Sequence, residues 1–358
     1  VNIDFHYGVI YAVARLGGLD VAEARTVAHS CQYVDDATTD GLLKFADGER
    51  FERIASAHEM IDYKNEEDDQ NRRIWVPFHF LPGAQGKSVA EKAVCRPNSD
   101  VAKDVVRRAL NAHGAYNALH RLGVTLHVYV DTWAHQGFSG VASDYNRITH
   151  LEGDDHDHET WLGKLKETLI SAGEKVESLA IDALSGLGHG AALHFPDMPW
   201  ATWRYRCKVS EEMVHRDNLP DFVQAADMAC KVVQAFKAKS QEFESQPGLP
   251  PDAKAALGNL LRENCSHDPD ERLSFWKEAL ASGKLPGLNE ALPDYIAKGP
   301  GSWKHAATRL AGDDDSGEAP VWSEVFEQSD YRKFHDATKE HRFVAVQEVL
   351  PEAGLRLC

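Results

Sequence analysis

The segment GVTLHVYVDTWAHQGFSG places His127, Asp131 and His135 at four-residue steps. At 3.6 residues per turn, such steps put all three side chains on one face of a helix. Two imidazoles and a carboxylate on one stripe can hold a borderline divalent metal through nitrogen and oxygen. The neighbours Leu126, Val128, Tyr129, Val130, Trp133 and Phe138 make the helix apolar nearly all round, which predicts burial. Buried His, Asp and His must be satisfied, either by a metal or by hydrogen bonds within a polar cluster.

Residues of the same types stand elsewhere in the chain. His6 lies between Phe5 and Tyr7 at the start of an apolar stretch. Asp35 and Asp36, in SCQYVDDATTDG, close a second one, and two carboxylates at a helix C-terminus call for a cation to offset the dipole. His79, in WVPFHFLPG, is flanked by apolar and aromatic residues. His189, His194 and Asp197 fall in GHGAALHFPDMPW, where glycines on both sides of His189 let backbone approach a ligand or a metal. The expected metal ligands are therefore His6, Asp36, His79, His127, Asp131, His135, His189, His194 and Asp197. Asp35 and Asp36 are the candidate catalytic carboxylates, whichever of the two is not a ligand serving as general base. A His/Asp donor set suits zinc first, and manganese or iron as well.

These residues need elements to carry them, and helical periodicity runs through most of the chain. Helices are expected at 6–17, ended by Gly17 and Gly18, and from Asp20 to Asp36, with Glu23 completing a capping box. Others are expected at 101–121, with a break at Gly123, and at 124–136, 219–239, 252–264, 269–282 and 330–350. Weaker patterns suggest helices at 48–62, 159–171, 174–187 and 288–297. Residues 74–83 read as extended because prolines interrupt them. Residues 64–73 read as a solvated charge run, and 188–200 as an irregular loop. Neither alternating strands bounded by hairpin turns nor a fixed repeat stands out. The expected fold is all-α, a compact multi-helix bundle with a C-terminal helical subregion. Its core domain would be 1–245, with 246–358 packed on it beyond the linker-like QPGLPPD.

Composition narrows the function. The chain has 358 residues and a formal net charge of -17. That disfavours an extended nucleic-acid footprint or an anionic membrane surface. A small-molecule or phosphoester substrate held by a metal escapes the objection, because the metal supplies positive charge locally. No apolar run approaches the roughly 20 residues of a membrane span, and VNIDFHYG offers no basic or apolar leader, so no signal peptide is expected. The six cysteines form no CxxC pair and are expected to be reduced thiols in a cytoplasm. Phosphate-loop, dinucleotide, HExxH and GxSxG motifs are missing. The dipeptides His156-Asp157, His267-Asp268 and His335-Asp336 lack the partners that an HD phosphohydrolase needs. Trp133, Phe138, Phe195, Trp200 and Trp203 are expected in the core rather than in a pocket.

Taken in order, the candidate ligands resemble those of the all-helical zinc-dependent phospholipase C and fungal single-strand nuclease family. The resemblance rests on an early His, an Asp, a His, a central HxxxD soon followed by another His, and a late His and acid. It covers roughly residues 6–200 and implies hydrolysis of phosphate esters by up to three zincs. His127 and Asp131 match the central HxxxD, and His135 the following His. The late pair departs from the pattern, with Asp197 eight residues after His189. The segments IDFHYGVIYAVARLGG, SCQYVDD, VPFHF, GVTLHVYVDTWAHQGFSG, GHGAALHFPDMPW and FHDATKEHRF are more closely similar to an uncharacterised bacterial domain-of-unknown-function family. That resemblance implies one unit over nearly the whole chain and brings no activity. A non-catalytic helical scaffold, with a structural metal or a buried polar His/Asp cluster, is the alternative to a metal-dependent hydrolase.

Overall fold

The computed structural model describes residues 1–57, 68–153, 188–312 and 314–357. The chain opens on a π-helical stretch, Asp4–Val9, which continues as α1, Ile10–Leu16. After Gly17 comes α2, Val21–Asp36, started by the expected capping box of Asp20 and Glu23. A hairpin follows, β1 (Gly41–Lys44) and β2 (Arg50–Arg53), then α3 (Asp68–Phe78), α4 (Asp100–Asn111) and α5 (Ala118–Ala134). Strands β3 (Ile148–Gly153), β4 (Thr202–Cys207) and β5 (Met213–Asp217) form an antiparallel sheet in the order β3-β4-β5. The remaining principal helices are α6 (Asn218–Lys237), α7 (Pro251–Glu263), α8 (Pro269–Ala281), α9 (Trp303–Thr308) and α10 (Asp330–Phe343).

The molecule is thus mixed α/β and not all-α: among the described residues, two antiparallel sheets with five strands join the helices. The strands are short and half-exposed, which hides their periodicity. In β4, Trp203 and Tyr205 point inward while Arg204 and Arg206 face solvent, so only two apolar residues mark the alternation. Residues 50–53, expected in a helix, pair with β1 across a turn at Asp47-Gly48. Residues 74–78, expected extended, are helical despite Pro77, because Val76 and Phe78 bury completely against the core. Residues 288–297 are not helical. Tyr7, Tyr11 and Arg15 instead hydrogen-bond this segment through the Pro293 carbonyl and the Glu290 carboxylate. The expected helices at 159–171 and 174–187 lie outside the described residues, as do 58–62 and His156-Asp157.

Helix α5 is the axis of the core. Nearly every residue from Leu122 to Ala134 is buried, and the helix packs against α2, α4, α6 and α10. The largest apolar cluster draws on residues from Phe5 to Leu357, so the C-terminal segment shares the core of the rest. A second cluster, including Phe80, Phe195, Trp203 and Tyr205, lies between the three-stranded sheet and the loop after Gly188. Buried Arg216 of β5 reaches the carbonyls of Trp133 and Ala134, placing a cation at the C-terminus of α5, where the helix dipole favours one.

Gly123 lies inside α5 and does not break it. A Cβ there would stand 2.4 Å from the Val27 carbonyl and 2.5 Å from Ser30 Cβ. The contact with α2 is made by backbone atoms and the Ser30 Cβ, so it has no flexible end that could yield. Replacing Gly123 by Ala should therefore lower stability by about 1–3 kcal/mol in denaturant titration. Gly114→Ala, where the added carbon meets nothing within 4 Å, should change it by less than about 0.5 kcal/mol.

Candidate metal centre

The close approach of α2 and α5 sets the first imidazole. His127 lies one turn beyond Gly123, and its Nδ1 donates to the Cys31 carbonyl at 2.8 Å. The pattern recurs at three more histidines. His79 Nε2 donates to the Ser56 carbonyl at 2.8 Å, His135 Nδ1 to the His79 carbonyl at 2.7 Å, and His189 Nδ1 to the Leu193 carbonyl at 2.9 Å. A carbonyl can only accept, so each of these nitrogens carries the proton and the tautomer is fixed. Where the ring is neutral, its opposite nitrogen presents a lone pair.

Those lone pairs face each other and face carboxylates. His79 Nδ1 and His127 Nε2 are 3.3 Å apart. Asp35 Oδ1 stands 3.8 and 3.7 Å from them, and Asp131 Oδ2 3.5 and 3.4 Å. Ligand atoms around a tetrahedral metal with bonds near 2.1 Å are about 3.4 Å apart, so the spacing is that of a coordination shell. A second group forms alongside. His135 Nε2 is 3.1 Å from Asp197 Oδ1, and His189 Nε2 is 3.3 Å from Asp197 Oδ2. The ring of Phe80 backs this group, stacked on His135 at 4.5 Å. The Val1 nitrogen joins the two groups, 3.0 Å from Asp131 Oδ1 and 3.2 Å from Asp197 Oδ1.

Protonation is a poor remedy for the opposed acceptors. Burial, followed by the charge of His6, pushes His127 down to about 4, and burial also lowers His135. Burial by itself would raise the carboxyls of Asp131 and Asp197. The Val1 nitrogen and the surrounding imidazoles outweigh it and hold both well below the usual range. Asp35 is likewise brought to about 2 by His127 and His6 against the effect of burial. Asp131 Oδ2, wholly buried, receives no hydrogen bond. The other oxygen of the same carboxylate is met by the Val1 nitrogen and His6, so Oδ2 alone lacks a partner, and a cation between the donors would supply one.

His6 plays a different part. Its Nδ1 is 3.0 Å from Asp35 Oδ2 and its Nε2 3.1 Å from Asp131 Oδ1, the oxygens turned away from the His79–His127 pair. Burial disfavours its charged form, but the two carboxylates prevail and raise its pKa. His6 also stands with Cys31 and His127 in a third donor group. Asp36 and His194 belong to no such group among the described residues. Asp36 turns away, accepting from Tyr295 Oη at 2.5 Å and Gln32 Nε2 at 3.1 Å. The general-base role expected of the aspartate pair therefore has no geometry here, since Asp35 faces the imidazoles and Asp36 a tyrosine. Gly188 makes room for the Phe80 ring and not for a ligand.

Several residues that hold the site escaped sequence reasoning. Asn218, buried at the start of α6, donates to the carbonyls of Phe195 and Met198 on either side of Asp197, and accepts from Trp203 Nε1. Ser56 turns its carbonyl to His79 while its hydroxyl donates to the Val34 carbonyl. Leu193 reaches His189 only by adopting φ 56°, a strained conformation of the kind that collects at functional sites. Asparagine, serine and leucine carry no compositional signal for such roles.

Residues 1–349 match the sequence model of DUF6765, described as a family of unknown function. No curated protein and no solved structure matches the chain. No helix among the described residues is long and apolar enough to cross a membrane.

The protonation pattern predicts how metal uptake depends on pH. Asp197 outweighs burial at His189 and raises its pKa, which favours a proton on Nε2 that a metal would have to displace. Zinc affinity should therefore rise with pH through and above 6.5, with protons released on binding. Calorimetric titrations in buffers of different ionisation enthalpy measure that release, and a proton-neutral, pH-independent uptake would refute the assignment of His189.

Proposed function

The chain belongs to the DUF6765 family, which carries no assigned function, and we propose that it is a metal-dependent hydrolase acting on phosphoesters through a His/Asp-bound centre. The observation that carries the reading is the set of four imidazoles whose outer nitrogens are spent on backbone carbonyls while their inner nitrogens crowd three aspartates. Outer hydrogen bonds to carbonyls are the usual way of orienting metal-ligating histidines.

Asp35, His79 and His127, with Asp131, would hold one metal, and His135, His189 and Asp197 a second. Zinc fits these nitrogen and oxygen donors, and manganese or iron also suits them. A bound metal supplies Lewis acidity and brings a coordinated water toward a pKa near 7. The residues do the rest. His6 holds the far oxygens of Asp35 and Asp131, so their near oxygens stay turned toward the imidazoles. Asn218 fixes the backbone on both sides of Asp197. Phe80 closes one side of the second group to water.

The second group also separates hydrolysis from the scaffold alternative. A structural metal is enclosed by four protein ligands, whereas this group offers three, two of them partly accessible: the side chains of His189 and Asp197 are 17% and 15% exposed. Substrate would approach from that side. Adjacent metal positions suit displacement at phosphorus, where attacking and leaving oxygens both need a neighbouring cation. The local charge they bring answers the repulsion of a phosphoester by a chain of net charge -17. The free cysteines, including buried Cys31 and Cys95, support a reducing compartment such as the cytoplasm.

Elemental analysis of the purified protein should find two equivalents of zinc, manganese or iron, and the protein should hydrolyse bis(p-nitrophenyl) phosphate. Asp131→Asn and His127→Ala should each lose metal and lower hydrolysis by more than about 100-fold. His215→Ala, on the exposed edge of β5, should change neither. Less than half an equivalent of metal in wild-type protein, with none taken up on titration, would end the proposal.

A further inference from the structure

Arg272 lies outside the donor groups yet touches both of the segments that deliver their ligands. It belongs to α8 and is buried, 2% exposed. Its Nε donates to Asp4 Oδ1 at 3.1 Å, and Asp4 is itself 1% exposed. Asp4 opens the π-helical stretch and precedes His6 by two residues. The same guanidinium lies 5.8 Å from the ring centroid of Trp200, three residues after Asp197, within range of a cation–π contact. A third contact, from Nη1 to the Ser266 carbonyl at 2.7 Å, ties the group back to its own segment.

The fit is repeated one turn along. Trp276, four residues after Arg272, packs against Gly8, four residues after Asp4. A Cβ on Gly8 would stand 3.0 Å from Trp276 Cγ. Helix α8 therefore meets the π-helical stretch at two matched positions, an ion pair and a ring lodged against a glycine. Asn2, at the front of the stretch, donates to the Asp197 carbonyl at 3.2 Å. The N-terminal segment, the Asp197 loop and α8 are joined at this point.

We propose that Arg272 is a positioning residue for the metal centre, fixing the distance between the His6 segment and the Asp197 loop so that His135, His189 and Asp197 can share a metal. The inference rests on the two-metal reading above. A flat guanidinium can bond to a carboxylate along one edge, reach a carbonyl from another and lie against an indole with its face. Lysine offers a point charge and cannot make the three contacts together. Leucine or alanine at this position would serve an apolar core but would leave Asp4 buried without a partner.

Because Arg272→Met alone leaves that buried charge and can unfold the chain, the test uses Arg272→Lys and the double variant Asp4→Asn with Arg272→Met. Each metal-stripped protein is titrated with cobalt, at a temperature where circular dichroism shows it folded. Affinity and the visible d–d spectrum are followed for the first and second equivalents. Wild-type protein should bind two equivalents. Both variants should bind the first as wild type does and the second about 10- to 100-fold more weakly, with an altered second spectrum. A purely structural role would lower the melting temperature and leave both affinities and both spectra in place, and that result in either folded variant overturns the proposal. Wild-type protein that takes up no second equivalent overturns the two-metal reading instead, and this inference with it.

Discussion

The structure around the donors depends on one constraint: a backbone carbonyl holds the outer nitrogen of each of four imidazoles, three of them buried and the fourth, His189, nearly so. The cost of burying imidazoles and carboxylates together is large unless every polar atom finds a partner. Here the outer atoms are satisfied and the inner ones are left opposed, at 3.1–3.8 Å. A core meant only to satisfy its polar groups would pair each lone pair with a proton. Cysteine, serine, histidine and leucine supply the carbonyls from four different segments, so the fold as a whole orients the rings.

The histidines and aspartates at the centre were legible in the sequence because their types are rare in apolar surroundings. His127, Asp131 and His135 could be placed together from helical spacing alone, His6 and His79 stood out as polar residues among aromatics, and His189 stood out by its flanking glycines. Asp35 and Asp36 could not be separated, since adjacent residues on a helix end differ only by 100° of rotation. That rotation sends Asp35 to His6 and Asp36 to Tyr295. His194 shares the loop of Asp197 but not its donor group, and no spacing rule applies in a segment built from short 3-10 turns.

Helices were read well where one face is apolar over several turns, as in α2, α6 and α7. The errors follow from short elements and from local rules that packing overrides. The strands contribute one or two inward residues each, too few for a visible period, and so the fold read as all-α when it is mixed. Pro77 marks a helix breaker in isolation, yet it falls in the last turn of α3, where one lost donor is tolerated while Val76 and Phe78 are buried. Gly123 looked like an interruption of α5 and instead permits its contact with α2. The same residue type follows α1 at Gly17, where an added Cβ would stand 2.5 Å from Val233, so at both positions the absence of a Cβ is what packing uses.

The donors around His79 and His127 differ among themselves in burial. Asp131 is completely buried, whereas Asp35, at the C-terminal end of α2, retains 29% of its side-chain exposure. A carboxylate at that end of a helix is opposed by the dipole, and the neighbouring His6 offsets part of the opposition. The group of His79 and His127 is thus anchored on long helices packed through the core, while that of His189 and Asp197 hangs on a loop pinned by Asn218 and backed by Phe80. On the proposed two-metal reading, rigid support for one position and a loop-borne second position is the division expected where one cation organises a site and the other meets a substrate. The asymmetry also explains why the long helices were recognisable from periodicity and the loop was recognisable only from its composition.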